Sequence, residues 1–397
     1  MFSLVKRVLI IDDHAVIRRT LSACLNGIGN FEVYEAGDGE DARQLIADRQ
    51  FDIIFCDINM PNENGIDVLQ YLAEQHFSGG VVLISSTDET LLKASSLLAR
   101  QFNLAIIGVA EKPIQRHTVL SFLIKANQHL APSEQQQLTP LSANAIAKAI
   151  DDANVIAFFQ PQVCLKTQQL SGVEALARIE NDNGEVFYPS QFIEIAEQSD
   201  PLMLALTKAV VTDALAKFAA LLAVEPALTL SINISARVLI DQTFPHWLQA
   251  ICHQYSVPPP RVICELTETA LASHPSLLTA SILRLRLFQF QLSIDDFGTG
   301  YASIEQLHSL PFQELKIDQR FVADCLTDLR SRVVVEQTIQ LAKGFGMSVV
   351  AEGIESADVA GFLALKQCDI GQGYFYAKPM RYQQLIDAFG LNKVESP

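Results

Sequence analysis

Hydrophobic residues in this chain come in short runs, each closed by a polar or acidic group and followed by helical spacing. VKRVLII at 5–11 is a buried-strand pattern that stops at Asp12-Asp13. A short strand follows around 31–35, then FDIIFCDI with its strand end at Asp57, VVLISS at 81–86 and AIIGVA at 105–110. Helical spacing fills the gaps, up to about Leu25 and over 39–48, 66–76, 88–101 and 114–130. Strands alternating with helices predict a parallel sheet covered on both faces. Five such units in about 130 residues suit a doubly wound, flavodoxin-like α/β domain.

The pattern then breaks. Residues 131–142, APSEQQQLTPLS, are polar and hold two prolines, the composition of a linker. Beyond it the alternation resumes, with strand candidates at 158–163, 172–178, 228–235, 262–268, 291–297, 314–318, 348–354 and 370–376. Eight strands in roughly 255 residues fit a (β/α)₈, TIM-like barrel. The expected organisation is therefore 1–130, a linker at 131–142, and a barrel over 143–397.

Composition narrows the function classes. Of 397 residues, 49% are hydrophobic and 19% charged, the balance of a globular chain. The net charge is −16, with 11 basic against 16 acidic residues in the first 130 and 18 against 29 after them. Neither part has the basic footprint of a nucleic-acid binder, so no DNA partner is expected. Anionic substrates remain open if clustered carboxylates hold divalent cations. The seven cysteines include no CxxC pair, which argues for a reducing compartment rather than a disulfide framework. No run is long enough to span a membrane and the N-terminus has no signal-peptide pattern, so a cytoplasmic protein is expected.

The strand ends carry the chemistry. In an open parallel sheet ligands gather outside the carboxyl ends of the strands. Asp12, Asp13, Asp57, Ser85 and Lys112 all fall there. Three crowded carboxylates favour a hard cation such as Mg²⁺, and with Lys112 it would offset a phosphoryl group on a nucleophilic Asp57. Acids at strand ends also cap helices, which explains any one of these residues but not the set. The set, with Asp57-Ile58-Asn59-Met60-Pro61, Gly65 and Lys112-Pro113, resembles the receiver domain of response regulators. The resemblance implies that Asp57 takes phosphate from a sensor histidine kinase, that Asp12 and Asp13 with Asp57 hold one Mg²⁺, and that Lys112 contacts the phosphoryl group. The family often has an aromatic switch residue where this chain has Val109.

The barrel strands repeat the theme. Glu174, Asn233, Glu265 with Glu268, Asp295 with Asp296, Lys316, Glu352 and Gln372 sit in or at the ends of apolar runs. Barrel active sites form at the C-terminal ends of the strands, so these groups would converge. Carboxylates at such density need cations, and oxygen donors select Mg²⁺ or Mn²⁺. Two ions suit in-line phosphoryl displacement. Singly, each group has a plainer reading. Glu174-Ala175-Leu176 is a common triplet, Lys316 could be a solvated strand-end lysine and Glu268 a helix cap. Adjacent buried acids in LSIDDFG are harder to dismiss, because burying both unpaired is costly.

In order, Gln160-Pro161, Glu174-Ala175-Leu176, Asn233, Glu265-Leu266-Thr267-Glu268, the run Asp295 to Tyr301, Lys316-Ile317-Asp318, Ala351-Glu352-Gly353 and Gln372-Gly373-Tyr374 resemble the EAL phosphodiesterase domain. The resemblance runs from about 145 to 390. It implies hydrolysis of cyclic diguanylate (c-di-GMP) to linear pGpG, and a barrel with one strand reversed. By the same resemblance, Glu174, Asn233, Glu265, Asp295, Asp296 and Glu352 would hold two Mg²⁺ or Mn²⁺ ions. Lys316 would orient or activate water, and Glu268 would fix the loop after Asp295-Asp296. Gln162, Leu176, Arg178, Glu355 and Gln372 would line the substrate site. Departures are Ala302, where serine is usual, and Lys366-Gln367-Cys368, where a Leu-Gly-Cys type run is usual. A homo-oligomer, dimer or tetramer, is implied as well. The alternatives are a non-catalytic c-di-GMP sensor acting through a partner protein, or cleavage of another phosphodiester.

Overall fold

In the computed structural model, residues 5–61, 63–85, 89–102, 104–130, 140–267, 275–298 and 304–391 are described. The chain forms two compact units that divide between Leu138 and Thr139.

The first unit is a five-stranded sheet of β1 (Arg7–Ile11), β2 (Glu32–Ala36), β3 (Ile53–Asp57), β4 (Gly80–Ser85) and β5 (Ala105–Glu111). The order is β2-β1-β3-β4-β5 and every pairing is parallel. The helices α1 (Ala15–Asn26), α2 (Gly39–Asp48), α3 (Gly65–Glu74), α4 (Glu89–Gln101) and α5 (Arg116–Leu130) alternate with the strands. Successive strand residues face opposite sides, so a sheet covered on both faces needs apolar residues at every position. The central strands meet that demand. Leu9, Ile54, Cys56 and Leu83 enter one core, and Val8, Ile10, Phe55 and Val82 the other. At α3 the Asn64 side chain accepts from the Asp67 backbone N–H while Asp67 accepts from that of Asn64, a reciprocal cap. Gly65 opens that helix against β3, where a Cβ would strike the Asp57 carbonyl.

The second unit contains β6 (Val155–Cys164), β7 (Leu170–Glu180), β8 (Val186–Phe187), β9 (Thr229–Asn233), β10 (Val262–Thr267), β11 (Gln291–Phe297), β12 (Glu314–Ile317), β13 (Ser348–Ala351) and β14 (Ile370–Gln372). The order β6-β14-β13-β12-β11-β10-β9-β7 closes on itself through β6–β7, and β8 extends β7 outside the ring. This is a closed eight-stranded barrel around a single large core. β6 is antiparallel to both its neighbours, and the other ring pairings are parallel. The cause is local. Only residues 165–169 separate β6 from β7, too few for a parallel crossover, and Gln168 makes the turn at φ 58°.

All eight expected barrel strands are present. The last is shorter than the sequence suggests, ending at Gln372, because the chain turns at Gly373 and Phe375 N–H donates to the Ile354 carbonyl. A helix at Ala143–Asp151 precedes the barrel and buries Ile146 and Ala149.

Candidate functional sites

In the first unit, β1 and β3 lie side by side while their following helices leave to opposite faces, so a crevice opens at their C-terminal ends. Asp12 and Asp57 are buried there at 0% and 2% exposure. Lys112, just beyond β5, reaches both, with Nζ 2.6 Å from Asp12 Oδ2 and 2.5 Å from Asp57 Oδ2. Asp57 Oδ1 accepts from the Asn59 N–H at 3.2 Å and Asp12 Oδ1 from the His14 N–H at 2.9 Å. Burial pushes the Asp57 carboxyl up, and the hydrogen bond and charge of Lys112 only partly offset this. Burial also works against the Lys112 ammonium, but its hydrogen bonds to Asp12 and Asp57 prevail and hold it above its usual range. Asp13 is more open and bonds His14 Nδ1 at 2.6 Å. Ser85 is buried at the end of β4, and its carbonyl accepts from Lys112 N–H at 3.0 Å. Three carboxylates against one ammonium leave two negative charges, which fits one divalent cation. Val109 is 41% exposed on β5.

In the barrel the expected groups meet around Lys316, which is 0% exposed. Its Nζ lies 2.6 Å from Glu352 Oε1, 2.9 Å from Glu265 Oε2, 3.4 Å from Asp295 Oδ1 and 3.7 Å from Glu174 Oε2. These residues come from β12, the end of β13, β10, β11 and β7. Asn233 at the end of β9 donates to Glu174 Oε1 at 2.6 Å, and Gln372 at the end of β14 donates to Glu174 Oε2 at 2.5 Å. Asp295 and Asp296 are neighbours on one strand, where side chains ordinarily point to opposite faces. A register shift between Ile294 and Phe297 and a positive φ of 55° at Asp296 overturn that alternation. Oxygens of Asp295, Asp296 and Glu352 consequently lie within 4.8 Å of one another.

The electrostatics fit cations. Four carboxylates lie against one ammonium and Asp296 stands beside them, so the acids outnumber the cations and leave room for divalent ions. Glu265 Oε1 is buried without a partner. Burial raises Glu352 to about 8 against the pull of Lys316, and raises Asp296 to about 6, with Asp295 adding to the rise. Burial is also the largest influence on Glu265, which is pushed well above the carboxylate range. Glu174 ends below its usual value, because Lys316 and the amides of Gln372 and Asn233 outweigh its burial. Burial opposes the Lys316 charge, yet the surrounding acids lift its pKa well above normal. Without cations, the crowded acids relieve their charge by taking up protons.

A cavity of about 930 Å³ opens over the cluster. Leu176, Arg178, Glu355 and Gln372 line it. Gln162 does not. It is 1% exposed and donates to Gln372 Oε1 at 3.1 Å from below. Gln160, missed as a site residue, lines the cavity and accepts from Gln372 at 3.0 Å. The reason is the reversed strand. Gln160 pairs with the level of Glu174 and Gln162 with that of Gly172, so along β6 the later residue lies deeper. Asp318 was likewise missed: its carboxyl shares a hydrogen bond with Asp296 while Arg320 Nε holds it at 3.0 Å. Glu268 and Ala302 lie outside the described residues.

A family model of the EAL domain matches residues 143–379, and one of the response regulator receiver domain matches residues 8–123. Over 386 residues the chain is 30% identical to the cyclic di-GMP phosphodiesterase RocR of Pseudomonas aeruginosa, covering 96% of this chain and 97% of that protein. It is 32% identical over 235 residues to the cyclic di-GMP phosphodiesterase PdeR of Escherichia coli, which covers 59% of this chain and 35% of PdeR. Among solved structures, the PaMucR phosphodiesterase in complex with c-di-GMP superposes with a TM-score of 0.58 at 27% identity, covering 63% of this chain and 99% of that one.

Proposed function

This chain belongs to the EAL-domain family and carries a response regulator receiver domain before its barrel; from that premise we propose that the barrel hydrolyses c-di-GMP to linear pGpG, controlled by phosphorylation of Asp57. The observation that carries this reading is the convergence of four carboxylates from separate strands, with Asp296 and Asn233 beside them, on one buried lysine beneath an open cavity.

Glu174, Asn233, Glu265, Asp295, Asp296 and Glu352 would hold two Mg²⁺ or Mn²⁺ ions. Such ions supply neutralising charge and an activated water. Lys316 presents its ammonium among these acids and orients the attacking water. Gln372, held by Gln160 and Gln162, fixes the direction of Glu174. Arg178 on the cavity wall offers a cation to a doubly anionic substrate that a chain of net charge −16 would otherwise repel. The cavity volume of about 930 Å³ suits a ligand of dinucleotide size. Water attacks one phosphorus, the bond to a 3′ oxygen breaks, and that oxygen takes a proton, leaving a 5′ phosphate monoester on pGpG.

In the receiver, Asp57 accepts the phosphoryl group from a sensor histidine kinase, Asp12 and Asp13 with Asp57 hold one Mg²⁺, and Lys112 offsets the added charge. Residues 131–142 join the two domains. A cytoplasmic location and assembly into a dimer or tetramer complete the reading. The test is turnover of c-di-GMP by Glu174→Ala and Lys316→Ala. Each is expected to lose activity by roughly 10²-fold or more. Full activity in either variant overturns the mechanism.

A further inference from the structure

We propose that Tyr188 is a positioning residue that holds Arg178 on the cavity wall. The proposal rests on Arg178 as a substrate contact and extends it to a residue outside the cavity lining.

Arg178 is an unusual cation. It is 5% exposed, yet among the described residues no carboxylate lies within ion-pair distance of it. Its Nη1 donates to the Ala177 carbonyl at 2.7 Å, and its Nε is buried without a partner. Burial works against its charge and lowers its pKa. What it has instead are ring faces. Its guanidinium carbon lies 5.2 Å from the centroid of Phe158 and 5.0 Å from that of Tyr188. Ring faces attract a guanidinium without consuming its N–H donors, which leaves those donors for an anionic ligand. Phe158 is a shared support, because Arg381 stands 5.3 Å from the same ring and pairs with Glu180 at 2.8 Å. Tyr188 is the ring not otherwise engaged by a cation among the described residues.

Tyr188 has its own fixed place. Its N–H donates to Gln191 Oε1 at 2.9 Å, and its carbonyl accepts from the Gln191 N–H at 2.9 Å. Gln191 is 3% exposed, and its carbonyl accepts from the Leu141 N–H at 2.8 Å. The loop that presents the ring is therefore tied to Leu141, near the end of the linker stretch. Tyr188 itself is 47% exposed, so shortening it opens no core cavity.

The experiment compares Tyr188→Ala, Tyr188→Phe, Arg178→Ala and the Tyr188→Ala/Arg178→Ala pair. It reads KM and kcat for c-di-GMP with Mn²⁺, and Kd for c-di-GMP by calorimetry in EDTA. Tyr188→Ala is expected to raise KM and Kd about fivefold, with kcat within about twofold and Tm unchanged. Tyr188→Phe keeps the ring and is expected to restore both values. The pair is expected to match Arg178→Ala alone, and Gln191→Ala to show a smaller rise in the same direction. If Arg178→Ala leaves KM and Kd unchanged, the substrate-contact reading of Arg178 fails. If Arg178→Ala raises them but Tyr188→Ala does not, or the two effects add, the positioning role is overturned while that reading stands.

Discussion

Lys316 can stay charged inside the barrel because four carboxylates lie within 4 Å of its Nζ. Removing one partner of such a cluster leaves the others buried and uncompensated. The acids in turn depend on something more positive than one lysine. Glu352 at about 8 and Asp296 at about 6 are the signature of that shortage. Burial favours the protonated form of the Glu352 carboxyl in the cation-free barrel, and it must ionise to hold a metal. Cation binding should therefore release protons, and affinity should weaken as pH falls from 8 to 6. Titration calorimetry with Mn²⁺ in two buffers of different ionisation enthalpy measures this directly. Observed enthalpies that differ in proportion to the buffer enthalpies are expected, and identical enthalpies would contradict the assignment.

The elements explain which residues meet and which part of that was legible. Acids at the ends of apolar runs are visible in one dimension, because parallel strands deliver their C-terminal residues to one end of a barrel. Depth within a strand is not visible until its direction is known. The resemblance alone puts Gln162 at the substrate, but Gln160 and Gln162 share one face of the strand, and only the strand's direction decides which lies nearer the cavity. The five-residue gap after Cys164 held the answer, since it forces a reversed strand. The bulge at Asp296 was beyond the pattern, because a left-handed aspartate in a strand reflects its surroundings rather than its own preference. Lys366-Gln367-Cys368 shows the opposite case, a sequence departure with a backbone cause. The helix Ala357–Leu365 ends with Gln367 N–H on the Ala364 carbonyl and Cys368 N–H on that of Leu363, with Gln367 at φ 63°. That closure favours glycine, because a Cβ is strained in the left-handed region. Gln367→Gly is expected to stabilise the barrel by about 1 kcal/mol, read as a higher denaturant midpoint with an unchanged m-value. A lower midpoint would show that the side chain contributes more than its backbone costs.

At the scale of the whole molecule, two units with separate cores carry two separate clusters of acids, each short of positive charge. A cation that binds only the folded barrel stabilises it by mass action, by about 2.7 kcal/mol per site at a hundredfold excess over Kd. With two sites filled, scanning calorimetry should show the barrel transition rising by roughly 10–20 °C on replacing EDTA with Mn²⁺, and Glu174→Ala should remove most of that rise. The same acidity opposes entry of a dianionic nucleotide, and bound cations and Arg178 each offset part of that opposition. The most direct measurement is to incubate the protein with c-di-GMP and Mn²⁺, with and without a small-molecule phosphodonor, and to resolve the products by chromatography. The account predicts pGpG in the presence of Mn²⁺ and none in EDTA, with a rate that the phosphodonor changes in the wild type but not in Asp57→Asn. Binding of c-di-GMP with no pGpG in Mn²⁺, in either phosphorylation state, would contradict it.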